Sequence, residues 1–352
     1  MTNIQAELRV QYANYVEQGV SDSARFDLAH ATNRDNSNYP YWMLRELLLS
    51  RGIELNTPDV NAGRDVAFEL HMNALRRDVA VPQFVLLYET PQICPDNGDM
   101  SLLARYQKVF TWNDNLVDGV RYIKLNFTNK PIDSVQVGWG SRGLFCCLIA
   151  GNKSVGKHDP KELYSQRVKT IRWFERNAPD RFDLYGSGWD VPAARYGRFG
   201  RLLAKIQRPL YRLGGLVAFP SYRGRVQSKF ETLQKYRFVI CYENIKDTPG
   251  YITEKIFDAF FAGCVPVYWG APNVLGYIPE ECFVDRTKFD DHESLYQHLS
   301  DMTEEEYGVH QRAIRQFLQS EKAMPFYAEA FARVVAGEIC ADLGILKAKV
   351  TN

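Results

Sequence analysis

Apolar positions along the chain switch between two spacings. Tyr41-Trp42-Met43-Leu44 through Leu47-Leu48-Leu49 has helical spacing and a stop at Gly52. Val66–His71, Phe84–Tyr88, Lys108–Trp112 and Tyr122–Leu125 are short apolar runs with turn residues between them, and they predict strands. The pattern restarts with a strand at Leu144–Ala150, a helix from about Lys161 to Asn177 and a strand at Phe182–Tyr185. Alternation of this kind predicts an α/β fold, a mostly parallel sheet with helices on both faces. Residues 126–141, with Pro131, read as a linker, so two α/β domains are expected, 1–130 and 141–325. Beyond Asp301 the spacing predicts helices at Thr303–Ser320 and Pro325–Cys340, and 326–352 is expected to be a C-terminal helix and tail.

The richest segment runs from Tyr236 to Asn273. Arg237–Tyr242 is β-branched and aromatic, a buried strand. A polar loop with Asp247, Pro249 and Gly250 follows. Ile256, Phe257, Phe260 and Phe261 then form one helix face, Gly263 stops the helix, and Val265–Trp269 is the next strand. A right-handed crossover makes the two strands parallel. Ligands of such sheets sit beyond the carboxyl ends of the strands, beside helix N-termini, and that is where Glu243, Asn244, Tyr251, Glu254 and Lys255 fall. Helix-start amides favour an anion, and Lys255 in the first turn runs against the helix dipole. An anionic ligand between Lys255 and those amides accounts for it; a Glu254–Lys255 surface pair is the plainer alternative. Glu243 is open to a structural role, tying the loop to its neighbours.

One segment breaks the alternation. From Val191 to Phe230 there is no acidic residue but nine basic ones: Arg195, Arg198, Arg201, Lys205, Arg208, Arg212, Arg223, Arg225 and Lys229. Leu202, Leu203, Ile206 and Leu210 supply an apolar side, so an amphipathic basic helix is expected. It reads either as peripheral membrane contact through residues 195–229 or as an insertion with a solvated basic face. The whole chain nonetheless balances, 43 Lys plus Arg against 42 Asp plus Glu, which argues against a nucleic-acid partner.

Candidate chemistry outside these segments is sparse. The seven cysteines are odd in number, form no C-x-x-C pair and mostly lie in apolar runs, so no disulfide framework is expected. The six histidines are scattered, no Asp-x-Asp occurs, and Asp290-Asp291 reads as a turn; no metal site is predicted. The N-terminal residues lack an apolar signal region and no window approaches a membrane span, so a cytoplasmic location is expected, peripheral at the inner membrane face if the basic stretch docks.

Tyr236-Arg237-Phe238, Glu243-Asn244, Tyr251-Ile252-Thr253-Glu254-Lys255 and Val265-Pro266-Val267-Tyr268-Trp269-Gly270 closely resemble the signature of glycosyltransferase family 10, the α-1,3/4-fucosyltransferases. Tyr88-Glu89-Thr90-Pro91 resembles the E-[ST]-P element of the family's first domain, and Phe110–Asp114 the segment after it. Ser165-Gln166-Arg167 and Asp183-Leu184-Tyr185-Gly186 sit where the family has an Arg and a strand–Gly turn, and the likeness runs over residues 25–290.

The resemblance implies a soluble bacterial-type member with GT-B architecture: two Rossmann-like domains facing across a cleft, the first on the acceptor side, the second holding the donor. It implies transfer of L-fucose from GDP-β-L-fucose, as co-substrate and without a required metal or other cofactor, to a hydroxyl of a saccharide acceptor. That acceptor would be an oligosaccharide or lipid-linked glycan, with α-1,3-type linkage to N-acetylglucosamine or glucose and inversion at the anomeric carbon. Carried over by position, Glu89 would be the general base and Arg167 and Lys255 would hold the pyrophosphate. Asn244 and Glu254 would meet ribose or fucose hydroxyls, Tyr251 would flank the donor, and Gly186 would lie in the donor site. The alternatives are a GT-B transferase of another GDP-sugar and a non-catalytic nucleotide- or glycan-binding relative.

Overall fold

The computed structural model describes residues 4–10, 23–31, 33–132, 134–135, 137–155, 158–193 and 197–345, leaving Arg195 of the basic stretch outside the described residues. The chain forms two compact units, Met1–Pro131 with Met324–Asn352, and Ile132–Ala323.

In the first unit the elements run β1 (Ile4–Val10), α1 (Tyr39–Leu49), β2 (Ile53–Asn56), β3 (Phe68–Met72), β4 (Gln83–Leu87), α2 (Met100–Leu103), β5 (Lys108–Thr111) and β6 (Tyr122–Lys124). The six strands form one sheet in the order β2-β1-β3-β4-β5-β6, every pair parallel. β3 and β4 are buried at every position; β4 is apolar after Gln83, whereas β3 alternates and buries Glu69 and His71 along with its apolar residues. β1 and β2 were not among the expected strands. IQAELRV does alternate, but its polar positions face other buried charges rather than water: Glu7 is in register with Glu69, and Arg9 with His71.

The second unit continues with β7 (Leu144–Ile149), α3 (Tyr164–Asn177), β8 (Phe182–Tyr185), α4 (Gly197–Gly214), α5 (Lys229–Leu233), β9 (Tyr236–Tyr242), α6 (Glu254–Phe261), β10 (Val265–Trp269), β11 (Val284–Asp285), α7 (His292–Asp301) and α8 (Glu304–Leu318). Its five strands are also parallel throughout, in the order β11-β10-β9-β7-β8. Chain order reverses at β7, with β8 on one side and β9 on the other. The carboxyl ends of β7 and β9 therefore flank the switch point where parallel sheets take ligands. Gly263 ends α6 with φ +66, as its place in the pattern predicts. α7 was not expected; Asp291, read as a turn residue, is its N-cap and accepts from the Ser294 N–H in a capping box.

The C-terminal segment is not a separate tail. The last helix, α9 (Ala328–Asp342), lays Phe331, Ala332, Val335, Ala336 and Ile339 into the first unit's core beside Tyr41, Leu44 and Leu48 of α1. Phe331 meets Tyr41 edge-on at 6.0 Å, and Arg51 donates to the Ala336 carbonyl at 2.8 Å. Burying one such aromatic contributes roughly 1.5–3 kcal/mol, so the helix is fastened by several times thermal energy. All seven cysteines are free and buried. Among the described residues no helix is long and apolar enough to cross a membrane.

Candidate functional site

Backbone pairing brings the site of the second unit together. The segment before α3 runs against the loop after β9: Glu162 and Ile245 form an antiparallel bridge, and the Leu163 N–H donates to the Asn244 carbonyl at 3.0 Å. Arg167 lies one turn into α3, on the stripe with Thr170, Ile171 and Phe174 that faces the sheet. An arginine in that stripe is forced inward, and Arg167 is only 4% exposed. Its Nε and Nη2 donate to the Tyr242 carbonyl at 3.2 and 2.6 Å, and Nη2 also to Asn244 Oδ1 at 3.0 Å. Tyr242 ends β9, so the guanidinium sits at the β7–β9 switch point.

Asn244 Nδ2 in turn donates to the Tyr251 hydroxyl at 3.2 Å. Asn244 thus orients Arg167, and Tyr251, 2% exposed, holds Asn244. No carboxylate pairs with Arg167 at salt-bridge distance among the described residues, and its Nη1 has no protein acceptor there. Burial lowers the Arg167 pKa from its ordinary value. A buried cation of this kind is costly to keep unless its donors are met, and here Nη1 is left over.

Lys255 is in a different state. Its ammonium donates to Glu243 Oε2 at 3.1 Å and to Thr253 Oγ1 at 2.8 Å, with Glu254 Oε1 at 3.7 Å. The Glu243 carboxylate therefore gives the cation in the first turn of α6 an anionic partner within the protein. Glu243 is fully buried and also accepts from the Thr253 N–H and hydroxyl, both at 2.7 Å. Burial pulls the Lys255 pKa down, but Glu243 and Glu254 outweigh it and the net shift is upward. The Glu254 side chain is 44% exposed; burial works to raise its pKa, yet Lys255 and Lys229 hold it low. Glu254 is thus the outward-facing acceptor of the group.

Gly186 stands at the end of β8 with φ +128, and a Cβ there would lie 1.9 Å from the Ala150 carbonyl oxygen. Glycine is required by that close approach of two strand ends. Gly186 lies outside the Arg167–Glu243 hydrogen-bond network.

Glu89 is half-buried in the first unit, two residues past β4. Its backbone N–H and that of Tyr88 donate to Asn73 Oδ1 at 2.9 and 3.0 Å, and Asn97 Nδ2 donates to the Glu89 carbonyl at 2.7 Å. Asn97 also donates to Asn73 Oδ1 at 2.8 Å. Asn73 has φ +66, tolerable for asparagine, which aims its side chain back at the β4 turn. Neither asparagine was singled out from the sequence; a lone Asn directly after the β3 run was the available signal. Among the described residues no group of His, Cys, Asp and Glu is gathered to hold a metal ion.

Residues 186–343 match the glycosyltransferase family 10 (fucosyltransferase) C-terminal domain. That match takes in less than half of the chain. Asn244, Tyr251, Glu254 and Lys255 lie within the match; Glu89 and Arg167 precede it. An α-(1,3)-fucosyltransferase of Helicobacter pylori is 43% identical over 60 residues, 17% of this chain and 12% of that enzyme. A solved α1,3-fucosyltransferase with GDP-fucose superposes over 99% of this chain and 91% of its own, at a TM-score of 0.52 and 14% identity. An α-glucosyltransferase with UDP-glucose and DNA does so over 96% and 99%, at 0.53 and 11%. The chain therefore has the GT-B fold, two parallel-sheet α/β domains, and fold alone does not choose the sugar.

Proposed function

We propose that this chain belongs to glycosyltransferase family 10 and is an inverting fucosyltransferase that moves L-fucose from GDP-β-L-fucose to a hydroxyl of an oligosaccharide or lipid-linked saccharide. The observation that carries the reading is Arg167, a buried guanidinium at the sheet's switch point without a carboxylate partner. A diphosphate supplies the missing anion, and the planar guanidinium suits its oxygens. In this reading Asn244 and Tyr251 hold the guanidinium, Lys255 adds its remaining donor, and the exposed Glu254 carboxylate accepts from a sugar hydroxyl.

The acceptor oxygen attacks C1 of fucose, the bond from C1 to the β-phosphate oxygen breaks, and GDP leaves with the electron pair. Glu89 takes the acceptor's proton. Displacement in one step turns a β-linked donor into an α-linked product, with 1,3-type linkage to N-acetylglucosamine or glucose as the expected outcome. The charge growing on GDP meets Arg167 and Lys255, so transfer needs no metal.

Calorimetric titration with GDP-fucose and GDP-mannose in EDTA tests the reading. Metal-independent binding that prefers GDP-fucose supports it. Equal binding moves the assignment to a transferase of another GDP-sugar. Glu89→Gln should bind GDP-fucose normally and transfer at least ~100-fold more slowly, as for loss of a general base; unchanged transfer removes Glu89 from the mechanism.

A further inference from the structure

We propose that α4 is an interfacial helix that seats this chain on an anionic lipid bilayer. Leu202, Ile206 and Leu210 are 55%, 56% and 60% exposed, and Leu213 is 88% exposed. Their spacing of four, four and three puts them on one face. Four large apolar side chains in a row, uncovered, are not the scatter of single leucines found on ordinary surfaces. Lys205 and Arg208 are exposed beside that stripe and further round the helix.

Among the described residues of α4 only Gly200 is buried, and Pro209 within it removes a backbone donor. Helices without a packed face are marginal in water, so a partner that covers the leucines completes this one. Charge selects the partner. The α4 sequence holds five basic residues, Arg198, Arg201, Lys205, Arg208 and Arg212, and no acidic one, whereas Arg223 and Lys229 further along are paired with Asp183 and Asp258. A second copy apposed through this face would set like charges together, and a nucleic acid would leave the leucines in water. A bilayer with anionic headgroups takes both, the leucines at the acyl boundary and the cations among the phosphates.

The test is cosedimentation of the full chain with phosphatidylcholine vesicles and with vesicles that also contain phosphatidylglycerol. Binding to the mixed vesicles alone is expected. Lys205→Glu with Arg208→Glu should weaken it about 30-fold or more, from two lost surface cations. Ile206→Gln with Leu210→Gln should weaken it at least about tenfold through lost apolar burial. These side chains are exposed, so both variants should keep the parent unfolding midpoint. No binding to mixed vesicles overturns the proposal. So does binding that survives the glutamines and is matched on heparin or duplex DNA, which would mark a polyanion site. Self-association lost in the glutamine variant, without vesicle binding, would assign the face to a second copy. None of these outcomes depends on the fucosyl-transfer reading.

Discussion

Each unit buries a charged network against its parallel sheet, and the two are built to opposite ends. In the first, Glu69 near the start of β3 accepts from Arg9 at 2.8 Å, Arg77 at 3.2 Å and His71 at 2.8 Å, while Arg9 also bridges to Glu7. His71 Nδ1 continues to the Tyr106 hydroxyl at 2.9 Å. Each of these charged groups has an internal partner, and the network lies toward the amino end of the strand. In the second, Glu243 and Lys255 close on each other at the carboxyl end of β9, but Arg167 beside them hydrogen-bonds carbonyl and amide oxygens, with the Tyr164 ring 5.0 Å away, and no carboxylate is at salt-bridge distance among the described residues. A closed network serves the fold. One that keeps a buried cation without a carboxylate costs stability and is poised for an anion, and it lies where parallel sheets take their ligands.

The sharpest ways to break this comparison remove one member from each network. Glu69→Ala strands the charges around it and should cost about 3–5 kcal/mol, read as earlier urea unfolding of the first unit without change in GDP affinity. Lys255→Met leaves the buried Glu243 carboxylate unpaired and should cost a similar 3–5 kcal/mol. Pairing it with Glu243→Gln should restore most of that, and a double-mutant cycle measures how much. If GDP affinity recovers together with stability, Lys255 serves the loop rather than the phosphate.

Two buried arginines of the second unit sharpen the contrast further. Arg142, fully buried, donates to the carbonyls of Leu233, Gln234, Tyr236 and Ala262. Arg142→Met should lose about 3 kcal/mol by stranding those acceptors. Arg167→Met should lose less stability but roughly 10- to 100-fold in GDP affinity, the range for a charged hydrogen bond. The reverse pattern would make Arg167 a structural residue. Asn73→Gly keeps the positive φ but removes the acceptor that holds Tyr88 and Glu89, and should lower kcat about tenfold, near the value of one or two hydrogen bonds, with GDP-fucose affinity unchanged.

The smallest effects are in acid. Burial alone would raise the Glu69 carboxyl, but His71, Arg9 and Arg77 prevail and hold it at about 2. The folded state then binds fewer protons than the unfolded one, so this stability is complete above about 4.5 and is lost as pH falls toward 2. Burial and Arg286 push the His292 imidazole down to about 4, so its contribution is complete above 6.5 and lost as pH falls to that value. Hydrogen exchange followed over pH should therefore show the second unit loosening first, below 6.5, and the first only below 4.5. Simultaneous loosening would mean that neither group governs its unit.

Local pattern alone determined much of this protein: the α/β alternation and the strand–loop–helix–strand unit from Tyr236 to Trp269. Those features depend on periodicity and turn chemistry, which act between near neighbours. Tertiary structure decided the remainder. α9 carries the same apolar spacing whether it ends the chain as a tail or, as here, fills the first unit's core. Glu7 and Arg9 look solvent-facing until β3 brings Glu69 and His71 into register. Lys255 asks for an anion from sequence alone, and only the fold shows that Glu243 has already provided one while Arg167 has none. Burial and the identity of a charge's partner are long-range properties, and a one-dimensional pattern carries no distance between residues that the chain separates by dozens of positions.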